Sequence, residues 1–138
     1  MRWGVLVVAA AGNQGTLGGS AITRHPWVIP VVACDLRGRP LLSTNLGRSI
    51  GRRGLSAPGE HITSLGAEGE LLTLSGTSAA APFVTGAIAL LWSALPHASA
   101  RAVYGAITQA AAPRRTTVVP PRLDAWAAYQ RLRQGYDA

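Results

Sequence analysis

Apolar runs broken by glycine-rich and polar stretches divide the chain. Trp3–Ala11 is apolar almost throughout and rich in Val, which predicts a strand buried on both faces, as in a parallel sheet. Gly12–Ser20 reads as a loop. Trp27–Cys34 is a second apolar run whose Val28, Ile29, Val31 and Val32 favour a strand. Asp35–Pro40 is turn chemistry, Leu41–Ser43 a short strand, and Thr44–Gly54 a polar, glycine-rich stretch. Leu55–Pro58 reads as a brief strand, and His61–Leu65 and Glu70–Leu74 as two more around the turn Gly66–Gly69. Phe83–Leu95 carries no charge and is as apolar on its outer as on its inner positions, which predicts a helix buried on all sides. Ser99–Ala111 reads as a further helix, Arg114–Pro121 as a linker, and Leu123–Gln134 as the last helix.

Strand, loop, more strands and then helices is the order of the rear part of an α/β sheet. As a free-standing unit it is unbalanced. The first strand lacks earlier partners, and the buried helix needs cover on every side. A chain of 138 residues holds one domain or a part of one, 1–138.

Charge adds little. All 13 basic residues are arginine against six acidic ones, a net charge of +7, yet the arginines are scattered, with short pairs only at Arg52-Arg53 and Arg114-Arg115. Nucleic-acid surfaces combine clustered charge with aromatics, so a solvated basic surface is the better reading and no nucleic-acid partner is expected. Acidic peptides gain a weak preference. Cys34 is the single cysteine, which leaves no internal disulfide and no cysteine-based zinc site, and its apolar setting reads as core. Met1–Ala11 has one Arg, an apolar stretch and a small-residue end, the outline of a signal peptide, but both charged and apolar parts are short. Pro82 interrupts the long apolar helix, which also falls short of the ~20 residues of a membrane span, so no membrane partner is expected. Acidic residues are few and separated, so no metal and no cofactor is expected. Gly12, Gly15, Gly18 and Gly19 do not give the spacing of a dinucleotide-binding loop.

Two stretches carry candidate chemistry. The first is Leu74–Pro82, where small residues stand at the start of the apolar helix. Pro82 suits a first turn, where a missing N–H costs nothing. Ser78 there has a hydroxyl, neighbouring helix N–H groups and the positive end of the dipole, the requirements of a nucleophile and of the oxyanion it creates. The plain alternative is that Thr77 or Ser78 only caps the helix. The second stretch is Val7–Gly15, where Asn13 offers an amide donor in a loop at the C-terminal end of a strand, the end at which α/β folds gather ligand groups. Its plain alternative is a turn.

Taken together the strings resemble the subtilisin-like serine proteases, the subtilases. Gly76-Thr77-Ser78-Ala79-Ala80-Ala81-Pro82 is similar to the nucleophile motif that opens the family's central helix, and Phe83-Val84-Thr85-Gly86-Ala87 to its continuation, with Gly86 as a close-packing point. Ala10-Ala11-Gly12-Asn13 resembles the segment whose Asn donates to the oxyanion, His25–Ala33 the family's strand, and Ala57-Pro58-Gly59 the turn before the serine motif. Leu46–Gly51 and Pro120–Trp126 look most like the subtilases that process cyanobactin precursor peptides. The resemblance covers nearly the whole chain, more loosely after Ala112. It implies the rear part of a subtilisin-like parallel-sheet sandwich and a serine endopeptidase in which Ser78 attacks a peptide carbonyl. Asn13 and the Ser78 backbone N–H would hold the oxyanion. Ala10, Ala11, Gly12 and Thr77 would contact substrate, and an ungapped count puts Arg24 near the floor of the pocket for the residue before the scissile bond. The expected partner is a peptide or precursor peptide, in a cytoplasmic setting if the precursor-processing likeness holds and a secreted one otherwise.

The sequence departs from the family in one respect. No Asp-Ser-Gly, Asp-Thr-Gly or His-Gly-Thr occurs, and the family places those motifs before the Asn13 segment. His25, His61 and His97 lack the family context for a base, and Asp35 and Asp124 read as turn and helix-start residues. The expectation is therefore half of a catalytic domain, inactive alone, with a separate chain carrying the Asp and His motifs as one source of the remainder. The alternative is a non-catalytic remnant or peptide-binding module.

Overall fold

The computed structural model describes residues 4–109 and 117–135. Strands β1 (Val7–Ala10), β2 (Val28–Cys34) and β3 (Leu55–Pro58) form a parallel sheet in that order. Val8 faces Ile29, and Val31 faces Leu55. Between them lie two short helices, α1 (Ala21–Arg24) and α2 (Arg48–Arg53). An antiparallel hairpin of β4 (Ile62–Leu65) and β5 (Leu71–Leu74) follows, then α3 (Thr77–Ala94), α4 (Ala100–Gln109) and α5 (Ala125–Gln134).

β2 is the centre of the molecule. All seven of its residues are buried, because helices cover both faces of a short parallel sheet. Ile29, Val31 and Ala33 point to the main core with Leu55, Ala57 and the buried residues of α3 to α5. On the other face Val32 packs with Ala11 and Ile50 of α2. The free thiol of Cys34 lies fully inside, as the sequence implies. Asp124 accepts from the Ala127 N–H at 2.8 Å and so caps α5, also as read.

Several elements differ from expectation. Leu41–Ser43 is not a strand. The chain makes a single bridge, Cys34 to Pro40, and then turns, held by the Ala33 N–H donating to the buried Thr44 hydroxyl at 3.2 Å. The stretch read as polar and glycine-rich contains α2. Its Gly51 exists for close approach, since a Cβ there would collide with the Thr117 carbonyl oxygen. The end of the expected Ser99–Ala111 helix, the Arg114-Arg115 pair and Met1–Trp3 of the candidate signal lie wholly or partly outside the described residues.

The long helix forms as read, but it is buried along one stripe, not on all sides. Thr77, Ala80, Val84, Ala87, Ile88 and Leu91 face the sheet. On the flank of that stripe Phe83 is 42% exposed and Leu90 71%. Gly86, expected at a close-packing point, has nothing within 4 Å of where a Cβ would stand. β1 has β2 as its one strand neighbour among the described residues, so its outer edge is open as well.

Candidate active site

Two loops 64 residues apart meet at the N-terminus of α3. One leaves the C-terminal end of β1 and carries Asn13. The other leaves β5 and carries Gly76, Thr77 and Ser78. Asn13 Oδ1 accepts from the Thr77 backbone N–H at 2.9 Å and from the Thr77 hydroxyl at 3.1 Å. The same hydroxyl accepts from the Gly12 N–H at 3.2 Å. A backbone N–H can only donate, so the atom of Asn13 that faces it must be the carbonyl oxygen. The amide is thereby fixed one way round, and Nδ2 is its donor, with no acceptor among the described residues.

Gly76 makes this approach possible. It sits at φ +121°, a conformation that L side chains rarely adopt, and a Cβ there would lie 3.0 Å from both Nδ2 and Oδ1 of Asn13. Gly76 is also the N-cap of α3, with no side-chain cap bond. Capping is therefore not the role of Thr77 or Ser78. Thr77 is fully buried behind Asn13, while Ser78 is exposed at the second helical position. The Ser78 N–H has no acceptor among the described residues, as befits one of the first donors of a helix. Two donors without an acceptor among the described residues, Asn13 Nδ2 and the Ser78 N–H, thus belong to segments tied together through Thr77, and the second segment also carries the Ser78 hydroxyl.

Pro82 is not in the first turn, where the sequence suggests it. It is the sixth residue of α3, where it cannot donate to the Ser78 carbonyl four residues back, so the helix lacks one bond just behind the serine. Of the other residues singled out, Ala11 is buried, Ala10 and Gly12 are partly so, and Arg24 is exposed. Arg24 Nε donates to the Gly19 carbonyl at 2.6 Å, so its stem lies back along the Gly15–Ser20 loop. Thr77, expected to contact substrate, has its hydroxyl engaged within the protein. That role is invisible in the motif alone, because it depends on which atom of Asn13 faces the helix.

The histidines are dispersed. His25 Nδ1 accepts from the Trp27 N–H at 3.4 Å and its ring meets that indole edge-on. His61 lies on the loop after β3, at φ +51°, with its N–H donating to Ser75 Oγ at 2.9 Å. His97 follows the C-terminus of α3, roughly 25 Å from Ser78 by the rise of the helix. An apolar groove of about 660 Å³ starts at Ser78 and runs along the open side of α3, past Pro82, Phe83 and Leu90, towards Leu74 and Leu123.

A serine at the mouth of a core helix, with an asparagine from the end of a parallel strand tied to the same turn, defines the class as an α/β-sheet protein with a hydroxyl and an amide gathered at one helix N-terminus. The family model Peptidase_S8, Subtilase family, matches residues 1–134, and this chain belongs to that family. It is 35% identical over 108 residues to the thermostable alkaline protease of Halalkalibacterium halodurans, covering 78% of this chain and 29% of that one. With subtilisin DY of Bacillus licheniformis it shares 34% over 112 residues, 78% of this chain and 40% of that one. Among solved structures, the patellamide maturation protease PatA superposes with a TM-score of 0.85 at 33% identity, over 95% of this chain and 52% of that one. The prenylagaramide maturation protease PagA gives 0.84 at 31%, over 94% and 50%. The chain thus spans less than half of those curated relatives and about half of those structures.

Proposed function

We propose that residues 1–138 are the serine and oxyanion half of a subtilase-type endopeptidase. Ser78 is the nucleophile, and Asn13 Nδ2 with the Ser78 N–H receives the oxyanion of the tetrahedral intermediate. Thr77 positions Asn13, and Ala10, Ala11 and Gly12 form a wall for the substrate. The observation that carries this reading is the Thr77 N–H to Asn13 Oδ1 bond, because it ties the amide to the serine turn and fixes its orientation.

The proton of Ser78 needs a base, and no histidine motif of the family is present in these residues. We assign that role to a complementing half with the family's Asp and His motifs, seated against the open edge of β1 and the open side of α3. The exposure of Phe83 and Leu90 supports this, since neighbouring apolar residues left open to solvent mark a surface that a partner covers. Alone, an intact oxyanion hole and binding would give at most ~10³–10⁴ over water. Precursor peptides are the substrate class we favour, from the likeness to the maturation proteases PatA and PagA.

The test is a fluorophosphonate probe and a peptidase assay, on this chain alone and mixed with the complementing half. Labelling of Ser78 and peptide cleavage are expected in the mixture, and Ser78→Ala removes both. The dispersed histidines favour a second reading, a non-catalytic peptide-binding module, which holds if Ser78 stays unlabelled in the mixture while peptide still binds.

A further inference from the structure

A second cavity, of about 680 Å³, lies beside the serine turn, and its lining belongs to none of the residues assigned above. One wall is the turn after β2, with Asp35, Arg39 and Leu42. The other is Glu60, His61 and Ser75. The cavity adjoins the reacting groups through both walls. The Ser43 carbonyl accepts from the Gly15 N–H at 2.7 Å, on the loop that carries Asn13, and Ser75 stands three residues before Ser78. The cavity is thus joined to the Asn13 loop through Ser43 and to the Ser78 turn through Ser75.

The charge of the lining is informative. Asp35 is fully engaged: its carboxylate accepts from the Arg37 and Arg39 N–H groups at 2.9 Å each and from Arg39 Nε at 2.7 Å. These contacts, the Arg39 N–H foremost, hold its carboxyl below the usual range, so it stays ionised and neutralises Arg39. Glu60 is the other acidic residue of the lining and makes no ion pair among the described residues, on a protein whose net charge is +7. Its backbone is pinned on both sides. The Gly59 N–H donates to the Cys34 carbonyl at 3.0 Å, the Gly76 N–H to the Gly59 carbonyl at 2.7 Å, and the His61 N–H to Ser75 Oγ. Pro40, Leu41 and Leu42 supply an apolar wall. A carboxylate on a held backbone at the edge of an apolar hollow suits a long aliphatic stem with a cationic tip.

We propose that this cavity selects a lysine or arginine side chain in the bound peptide, through Glu60. The proposal rests on the reading of the Ser78 region as a peptide site, and its test does not need Ser78 to react. The ¹⁵N-labelled 138-residue chain is titrated with four blocked pentapeptides, Ala-Ala-X-Ala-Ala, in which X is lysine, arginine, norleucine or glutamate. Lysine and arginine are expected to bind about three- to fivefold tighter than norleucine, the range of a partly exposed ion pair, and glutamate weaker. Amide shifts should centre on Leu42, Glu60 and His61. Glu60→Gln should bring lysine down to norleucine, and Glu60→Lys should turn the preference to glutamate. Both substitute an exposed side chain, and unchanged spectra away from the cavity establish that the fold is kept. Equal affinity for all four peptides, shifts centred elsewhere, or a lysine preference that survives Glu60→Gln would overturn the proposal. Ser78→Ala should leave the preference intact. A preference without labelling of Ser78 defeats the catalytic reading alone, and labelling without a preference defeats this one alone.

Discussion

At the residue scale Thr77 matters alongside Ser78. Its hydroxyl donates to Asn13 and accepts from Gly12, and it is buried while doing so. Thr77→Val keeps the shape and removes both bonds. In the complemented enzyme it should lower kcat by about tenfold or more, part of the ~10²–10³ lost when a subtilisin's oxyanion asparagine is removed. It should also cost about 1–3 kcal/mol of stability, which chemical denaturation measures, because the Gly12 N–H loses its acceptor. Thr77→Ser should restore most of both. Cys34 gives an independent check of the core. Burial pushes its thiol above the ordinary value of 9.0, outweighing the opposing hydrogen bond from Ser56. The folded chain then keeps a proton that the unfolded chain releases, so stability should fall as pH rises past 9, and fall less in Cys34→Ala. Thiol reagents should label Cys34 only as fast as the protein unfolds.

At the element scale, what was legible depends on who supplies the burial. β2 could be read because its Val and Ile residues are buried by this chain itself, and α3 because a charge-free run has few alternatives. α2 was hidden. Its helix depends on Gly51 seating against the backbone near Thr117, a contact 66 residues away that no local pattern announces. Leu41–Ser43 misled for a related reason: apolar residues at a cavity wall look like a short strand. Ser78 and Asn13 were readable as motifs, whereas the work of Thr77 and the charge at Glu60 need the packed geometry. The open side of α3 is where the expectation of full burial and the observed exposure part. Leu90→Glu tests it. In this chain alone the substitution should change the melting temperature little, since Leu90 is 71% exposed. It should weaken assembly with a complementing half by at least tenfold, because a charge would then be buried without a partner. Analytical ultracentrifugation reads both states.

At the scale of the whole molecule, the chain is a sheet with one edge and one helix face left open among the described residues, and the proposed reacting groups stand at the ends of those two elements, β1 and α3. The groups proposed as nucleophile and oxyanion donors are held by contacts within these residues, whereas the proposed proton transfer needs groups from the complementing half. The division predicts a site that is shaped in the isolated chain and chemically silent there. Site-resolved fluorophosphonate labelling reads this directly, comparing the chain alone with the chain plus a polypeptide carrying the subtilase Asp and His motifs. The account predicts a modified Ser78 in the mixture, little or none in the chain alone, and none in Ser78→Ala. Full-rate labelling of the isolated chain, or a probe attached to a residue other than Ser78, would contradict it.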